Sequence, residues 1–233
     1  MGLARKDWND HVAHAEEVAR GRGFQGLRDE ILEGAGATPE DVVVDVGSGT
    51  GLLTLALAPR VRRVWAVDIA PAMAAYLGVK AASAGLENVD VVVATATSLP
   101  LVDESADLVV SNYCFHHLSD GDKERALAEI HRVLRPGGRL VFGDMMFRIS
   151  LAQARDRTVL RAKLHGLARK GPGGVRRIAR NAVRVALGRG EQPARAEWWH
   201  DALERHGFDP IEVGSSSTRV ASHSRAAGEP RPR

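Results

Sequence analysis

The sequence contains 233 residues, of which 44% are apolar and 26% are charged, and its formal net charge is +3. This length and apolar content fit one globular domain with a single core, with or without a small appended subdomain. Because Cys114 is the only cysteine, a disulfide framework and a multi-cysteine zinc site are excluded.

Residues 1–37 carry apolar side chains at helical spacing. Glycines interrupt this pattern at positions 21, 23 and 26. We therefore predict a helical N-terminal segment that is broken at these glycines and precedes the first strand.

From residue 42 onward, apolar β-branched segments alternate with helical patterns. The predicted strands are 42–46, 64–68, 89–93, 106–111 and 139–144, and the predicted helices are 52–58, one that opens at Pro71, and 121–134. The strands are rich in Val and lack polar alternation, which is typical of parallel strands buried on both faces of a sheet. The sequence therefore predicts a doubly wound α/β domain, in which residues 136–138 form a turn.

A basic segment follows the fifth predicted strand. Between Arg148 and Arg195 there are 13 Lys and Arg against two acids, a net charge of +11, whereas the rest of the chain carries −8. Glycines at 171–174 divide this segment into two helical patterns. After it we predict a helix over 197–208, a strand pair over 211–224 and a disordered tail over 226–233.

The motif DVGSGTG ends the first predicted strand. Gly47, Gly49 and Gly51 allow a tight turn and a close approach of the backbone to a ligand. Leu52 stands where a nicotinamide-binding G-x-G-x-x-G motif has its third glycine, which disfavours an oxidoreductase. Asp45 adds a carboxylate suited to a charged amino group of a ligand. The alternative is a tight strand–helix turn without a ligand.

Asp68 ends the second predicted strand, 21 residues after Gly47. A carboxylate at this place can accept hydrogen bonds from both hydroxyls of a ribose, as in dinucleotide-binding folds. It can also cap the helix that opens at Pro71, and one side chain can have both roles.

Together these motifs resemble the class I S-adenosylmethionine-dependent methyltransferases, and in particular small-molecule enzymes such as the quinone-biosynthesis methyltransferases. The resemblance covers residues 38–146, with further similarity over 206–213. It depends on VVDVGSGTG (43–51), VWAVDIAPAM (64–73), TSLPLVDESADLVVSNYCFHHL (97–118) and LRPGGRLVFGD (134–144). It implies a Rossmann-like, mostly parallel seven-stranded sheet with a basic helical insert after the fifth strand.

The resemblance also implies a cofactor, S-adenosylmethionine, with S-adenosylhomocysteine as product and a small molecule as methyl acceptor. The residues implied to contact the cofactor are Asp45, Gly47, Ser48, Gly49, Gly51, Asp68, Ile69, Met73, Thr95, Ala96, Asn112 and Phe115. Within this set, Asp68 would hold the ribose and Ile69 and Met73 would flank the adenine. Asn112 and Phe115 would close the pocket beneath the sulfonium.

One position departs from the family pattern. Such enzymes commonly carry D-A-x-x-L-P after the third strand, and its acid accepts a hydrogen bond from the adenine amino group. Here the string is T-A-T-S-L-P, so Thr95 replaces the acid. A neutral hydrogen bond contributes about 0.5–1.5 kcal/mol, against about 1.5–3 kcal/mol with a charged partner. We therefore expect weaker cofactor binding, with Thr95 or the backbone around Ala96 as acceptor.

The segment SNYCFHHL follows the fourth predicted strand, at the edge where α/β sheets bind ligands. His116 and His117 are candidate general bases because imidazole titrates near neutral pH, although one of them could serve only to orient the loop. Cys114 is expected to be a small buried side chain, since direct methyl transfer needs no covalent intermediate. Asp144 either faces the substrate or caps a turn. The other histidines lack metal-ligand spacing, so no metal site is predicted.

The adjacent Trp198 and Trp199 either line a substrate pocket or belong to the core. The basic segment leaves four alternatives open. Its arginines could be solvated, or they could hold a phosphate or carboxylate of the acceptor within a lid. Residues 175–187 could contact a membrane surface. Nucleic acid is the least favoured partner, because the positive charge lacks interleaved aromatic residues.

The predicted organisation has five parts. They are an N-terminal helical segment that covers the cofactor site (1–37), a cofactor-binding core (38–146), a basic insert (147–196), a C-terminal helix and strand pair (197–225) and a tail (226–233). Since no apolar segment opens the chain and no apolar run reaches about 18 residues, we predict a cytoplasmic protein. The resemblance implies a methyltransferase that acts by direct displacement. The alternative is a catalytically silent protein of the same fold that recruits an anionic partner. The oligomeric state does not follow from the sequence.

Overall fold

The computed structural model describes residues 9–144, 192–213 and 218–223. The helices are α1 (Val12–Ala19), α2 (Arg22–Ala35), α3 (Thr54–Leu57), α4 (Pro71–Ser83), α5 (Asp120–Val133) and α6 (Ala196–Arg205). The strands are β1 (Val42–Val46), β2 (Arg63–Asp68), β3 (Val89–Val93), β4 (Ala106–Asn112), β5 (Leu134–Gly143), β6 (Phe208–Val213) and β7 (Thr218–His223).

The strands form one sheet in the order β3-β2-β1-β4-β5-β7-β6. Strands β1 to β5 are parallel, and β7 runs antiparallel to both β5 and β6. The chain therefore builds outward from β1 in one direction through β2 and β3, and in the other through β4 and β5. This doubly wound, mostly parallel fold is the predicted one. The switch point between β1 and β4 is where such sheets bind ligands, at the carboxyl ends of the strands.

Successive strand residues point to opposite faces of the sheet and build two apolar clusters. On one face, Val44, Val109 and Phe142 belong to a cluster that also contains Trp199 of α6. On the other face, Val43, Val110 and Val141 pack in a cluster with Leu27 and Ile31 of α2. Every residue of β1 is buried because helices cover both faces of this central strand.

Local sequence signals explain two of the helices that flank the site. Helix α5 begins after Ser119, whose hydroxyl accepts a hydrogen bond from the backbone N–H of Asp122 at 3.1 Å. Helix α2 packs closely against β5 at Gly143, where an added Cβ would lie 2.6 Å from Leu27 Cδ1. A residue without a side chain at this position lets α2 lie directly on the sheet.

Three local predictions differ from the structure. Helix α2 continues through Gly23 and Gly26, since its buried stripe at Leu27, Ile31 and Ala35 holds it to the sheet. The helix predicted over 52–58 is only Thr54–Leu57, followed by a 3-10 turn. Residues 136–138, predicted as a turn, lie within β5 at a register shift between β4 and β5.

Several predictions concern residues outside the part of the chain that the structure describes. These are the helices of the basic segment, the tail and the first eight residues. The five-part division of the chain therefore stays a prediction.

Candidate active site

The loop between β1 and α3 is fixed to the neighbouring strand β2. The backbone N–H groups of Gly47 and Ser48 both donate to the carbonyl of Val67, at 2.8 and 3.0 Å. Gly47 and Gly51 have φ values of +74° and +92°, which side-chain-bearing residues rarely adopt. The loop thus turns sharply at the carboxyl edge of the sheet.

Neighbouring side chains also leave no room for a Cβ atom at Gly47 and Gly51. An added Cβ at Gly47 would lie 2.4 Å from Cys114 Sγ, and one at Gly51 would lie 2.3 Å from Leu77 Cδ1. At Gly49, by contrast, the nearest atom to an added Cβ is a backbone oxygen at 4.0 Å. The predicted cofactor-binding residues of this loop therefore combine two tightly packed positions with one that faces open space.

Asp68 joins the loop to the end of β2. One carboxylate oxygen accepts from the backbone N–H of Gly49 at 2.8 Å, and the other accepts from that of Ala70 at 2.8 Å. Burial raises the pKa of Asp68, while these backbone hydrogen bonds act in the opposite direction. The carboxylate is therefore held in place beside the glycine loop and the start of α4, as predicted from its position after the strand.

Asp45 lies at the end of β1 and is only 1% exposed. One of its oxygens accepts from both the backbone N–H and the hydroxyl of Thr54, at 3.0 and 2.6 Å. Burial raises its pKa to about 7, although the Thr54 hydrogen bonds lower it. The side chain thus anchors the start of α3 and holds an ionisable group beneath the loop.

Three carboxylates act electrostatically on the thiol of Cys114. Burial raises the pKa of Cys114, and the negative charges of Asp144, Asp68 and Asp45 raise it further. Such a thiol stays protonated, which disfavours a nucleophile as predicted. Cys114 was predicted to be buried, whereas the structure shows it half-buried. The same carboxylates make this edge of the sheet suited to a cationic ligand.

Two buried polar atoms near the loop have no hydrogen-bond partner among the described residues: Ser48 Oγ and Asn112 Oδ1. Buried polar groups without a partner are uncommon because each costs free energy. Both residues were predicted to contact the cofactor. An unpaired hydroxyl and an unpaired amide oxygen at this edge fit a polar ligand that would complete their hydrogen bonds.

The predicted adenine region extends from Asp68 along α4 and past β3. Ile69 is 41% exposed, whereas Met73 is buried and only 3% exposed. The hydroxyl of Thr95 lies 2.9 Å from that of Thr97 and accepts from the Thr97 backbone N–H at 3.2 Å. Thr95 therefore stabilises its own turn, and Ala96 lies half-buried within that turn.

Phe115 is one predicted site residue that the structure does not bring to the edge. It is 1% exposed, and its ring packs against Phe142 and Trp199 with centroid distances of 5.3 and 5.6 Å. Trp199 was predicted either to line a pocket or to belong to the core. It lies in the same apolar core cluster as Phe115. The 3-10 turn at Phe115–His117 directs the phenyl ring inward.

The candidate base His116 is held by Asp144. The Asp144 carboxylate accepts from the His116 backbone N–H at 2.9 Å and lies 2.5 Å from the ring Nδ1. His116 is buried, whereas His117 is exposed, and their ring centroids lie 3.9 Å apart. Asp144 was predicted either to face the substrate or to cap a turn. In the structure it accepts from a backbone N–H of the turn Phe115–His117 and also orients the His116 ring.

Three features of this edge had no counterpart in the sequence predictions. Tyr113 has a φ of +53°, and its ring stacks on Phe24 of α2 at 4.5 Å. Lys123 is fully buried and donates to Asp120 at 2.8 Å and to the Gln192 carbonyl at 2.7 Å. Lys80 of α4 donates a hydrogen bond to Glu16 of α1. Each depends on residues far apart in the sequence, so only the aromatic Tyr113 of the SNYCFHHL motif offered any signal.

Both ends of the segment between Asp144 and Gln192 lie at His116. Asp144 binds the backbone N–H and ring of His116, and the Gln192 N–H donates to the His116 carbonyl at 2.6 Å. The basic segment itself lies outside the described residues. In the described part of the chain, no three His, Cys, Asp or Glu side chains cluster as metal ligands. No helix described there is long and apolar enough to cross a membrane.

A glycine turn after β1, an acid at the end of β2 and an acidic carboxyl edge are typical of nucleotide-binding α/β domains. Residues 44–142 match the family model described as "Methyltransferase domain". This region is therefore similar to methyltransferase domains, and its doubly wound sheet agrees with the predicted class I S-adenosylmethionine-dependent fold.

Two curated relatives illustrate the sequence similarity. The chain is 34% identical over 125 residues to an uncharacterized methyltransferase of Oceanobacillus iheyensis, covering 54% of this chain and 56% of that protein. It is 41% identical over 106 residues to the malonyl-[acyl-carrier protein] O-methyltransferase of Methylococcus capsulatus, covering 45% and 37%. The chain spans about half the length of the curated relatives it matches. The narrower resemblance to quinone-biosynthesis enzymes stays a prediction.

Among solved structures, a putative S-adenosyl-L-methionine-dependent methyltransferase from Methanococcus maripaludis is similar over nearly the whole chain. Its TM-score is 0.64 at 21% identity, and the match covers 98% of this chain and 99% of that one. At this identity the similarity supports the fold, which agrees with the architecture described above.

Proposed function

We propose that this protein transfers the methyl group of S-adenosylmethionine to a small-molecule acceptor. The observation that carries this proposal is the arrangement at the carboxyl edge. There, Asp68 is fixed to the glycine loop, and Ser48 Oγ and Asn112 Oδ1 lack partners within the described chain. These features occur inside the matched methyltransferase domain.

The residues present fit the cofactor. Asp68 would hold the ribose, the loop from Gly47 to Gly51 would take the methionine part beside Asp45, and Asn112 would lie beneath the sulfonium. Ile69 supports an adenine-binding role by its exposed apolar side chain, whereas Met73 is buried and does not support it. Thr95 and Ala96, both half-buried, would lie beside the adenine. When bound, the sulfonium supplies a methyl group already activated for displacement. The surrounding carboxylates favour binding of this cationic group.

His116 is the better candidate for the general base. Since Asp144 lies at hydrogen-bond distance from Nδ1, a neutral ring with its proton on Nδ1 keeps the Nε2 lone pair as the acceptor. That nitrogen would receive a proton from a phenol, enol or amine acceptor. An acceptor that loses no proton needs only alignment, which can contribute about 7–11 kcal/mol in well-oriented systems.

The acceptor is proposed to be anionic or lipid-like. This part of the proposal depends on the net charge of +11 between residues 148 and 195. Asp144, which precedes this segment, and Gln192, which lies near its end, both contact His116. Arginine binds carboxylates and phosphates through two parallel hydrogen bonds. Contact of residues 175–187 with a membrane surface stays a prediction, as does a cytoplasmic location.

The test is formation of S-adenosylhomocysteine with a panel of phenols, amines, short carboxylates, phosphoamines and acyl thioesters. The panel includes phosphoethanolamine and a malonyl thioester, the latter because the chain is similar to the malonyl-[acyl-carrier protein] O-methyltransferase of Methylococcus capsulatus. For an acceptor that loses a proton, we expect His116→Gln to lower kcat about 100-fold or more. The matched variant His117→Gln should change it less than about threefold.

Two outcomes would contradict the proposal. Cofactor binding without turnover on any panel member would favour the silent binding protein. A larger loss of kcat in His117→Gln than in His116→Gln would show that His117 is the general base.

A further inference from the structure

Helix α1 is fastened to the protein mainly by polar contacts. None of its eight residues is buried, so the apolar contact that holds most helices is weak here. Glu16, in contrast, keeps only 15% of its side chain exposed. A charged side chain withdrawn from water on a helix without buried apolar residues requires strong partners.

Those partners come from the cofactor-binding part of the molecule. Glu16 Oε1 lies 2.5 Å from Lys80 Nζ of α4, and Lys80 Nζ also donates to the carbonyl of Thr50 at 3.0 Å. Thr50 lies in the glycine loop between Gly49 and Gly51. Lys80 therefore joins α1 and the glycine loop through one ammonium group.

The charge state of Glu16 agrees with this geometry. Burial raises the pKa of Glu16, but the hydrogen bond and charge of Lys80 and a hydrogen bond from Thr50 outweigh it, so the pKa is lowered. Arg20 adds a further positive charge at 3.6 Å. Glu16 is thus ionised at neutral pH and interacts with Lys80 of α4, Thr50 of the glycine loop and Arg20 at the end of its own helix.

A second contact holds the neighbouring helix on the other side of the loop. Phe24 of α2 stacks on Tyr113, which follows β4, and Leu27 packs on Gly143 of β5. The two N-terminal helices therefore contact the carboxyl edge on both sides of β1. Ring stacking of Phe24 and core packing of Leu27 hold α2 in place, whereas the ion pair of Glu16 holds α1.

We propose that Glu16 and Lys80 form a clasp that fastens α1 onto the glycine loop and sets the rate of cofactor exchange. The clasp acts through helix position and does not touch the reacting groups, so both are positioning residues. The proposal rests on the proposed function, because its ligand is S-adenosylhomocysteine at that site.

The experiment measures association and dissociation of S-adenosylhomocysteine on the immobilised full chain by surface plasmon resonance. For Glu16→Gln we expect both rate constants to rise about threefold to tenfold, since one charge-assisted contact must open before exchange. The matched control is Glu17→Gln, the adjacent residue with 85% of its side chain exposed, which should leave both rates unchanged.

Two further measurements separate a clasp from a general loss of stability. Deuterium uptake of residues 12–19 should accelerate in Glu16→Gln while the melting temperature stays within about 2 °C of the wild type. In the double variant Glu16→Gln with Lys80→Met, the α1 amides should take up deuterium no faster than in Lys80→Met alone, because the two residues act as one pair. If Lys80→Met fails to fold, Glu16→Gln decides the question.

Unchanged exchange rates in Glu16→Gln, with the wild type binding normally, would overturn the clasp and leave the methyltransferase proposal intact. Absence of binding by the wild type would overturn the proposed function and the exchange role with it. Faster α1 uptake without a change in ligand rates would show that the helix moves without controlling exchange, and would also overturn the proposal.

Discussion

One carboxylate fixes both the backbone and the ring of His116. Asp144 accepts from the His116 N–H at 2.9 Å and contacts Nδ1 at 2.5 Å, and the two side chains are 1% and 4% exposed. Because both groups are removed from water, neither can exchange its partner for solvent without a cost in free energy. The orientation of His116 is therefore determined by the residue that directly follows the fifth strand.

Asp144→Asn should lower the free energy of unfolding by about 2–4 kcal/mol, because a buried charged acceptor of two hydrogen bonds is lost. Urea unfolding at pH 7 measures this change. The matched control is Asp29→Asn, whose side chain is 63% exposed and which should change stability by less than about 0.5 kcal/mol. Equal small effects of both substitutions would contradict the arrangement.

Asp45 gives stability an unusual dependence on pH. Burial raises its pKa from 3.8 to about 7, so between these values the folded protein binds the proton more tightly than the unfolded chain. The contribution of Asp45 to stability therefore falls as pH rises through this range. We expect the stability of the wild type relative to Asp45→Asn to drop by more than about 1 kcal/mol from pH 5.5 to pH 8. A difference independent of pH would contradict this assignment.

The same titration should act on cofactor binding in the opposite direction. If the ionised form of Asp45 receives the cofactor's ammonium group, its population limits affinity below pH 7. We expect S-adenosylhomocysteine to bind about tenfold more tightly at pH 8 than at pH 6, measured by titration calorimetry. In Asp45→Asn this pH dependence should disappear. Tighter binding at pH 6 in the wild type would show that Asp45 does not serve this group.

Gly47 and Gly85 form a natural comparison. Both have positive φ, at +74° and +68°, but only Gly47 has a close neighbour, with Cys114 Sγ 2.4 Å from an added Cβ. Gly85→Ala should cost about 1–2 kcal/mol from backbone strain, whereas Gly47→Ala should cost about 1–3 kcal/mol more. Thermal unfolding of both variants measures the difference. Similar losses at the two positions would mean that Cys114 moves aside without cost.

The strands could be predicted closely because buried parallel strands leave a direct signal in the sequence. The Val-rich segments at 42–46 and 89–93 coincide with β1 and β3, and α4 begins at Pro71 as predicted. Asp68 and the glycine loop were also located correctly, since strand ends and glycine spacing are local features. Their role toward the cofactor is still a proposal.

What could not be predicted depends on packing between distant residues. The direction of the Phe115 ring is determined by Phe142 and Trp199, which are 27 and 84 positions away in the sequence. The positive φ of Tyr113 accompanies its stacking on Phe24, and the clasp joins residues 64 positions apart. A single sequence contains no record of these contacts.

The measurement that tests the central claim most directly is titration calorimetry of the wild-type protein with S-adenosylhomocysteine, with NADH as the control ligand. Saturable binding is expected, and Asp68→Ala should weaken it by at least about tenfold, since hydrogen bonds from the ribose to a charged carboxylate are lost. The matched variant Asp90→Ala, on β3 and paired with Arg63, should bind as the wild type does. No binding at millimolar ligand, or equal binding by Asp68→Ala, would contradict the assignment of this edge as the cofactor site.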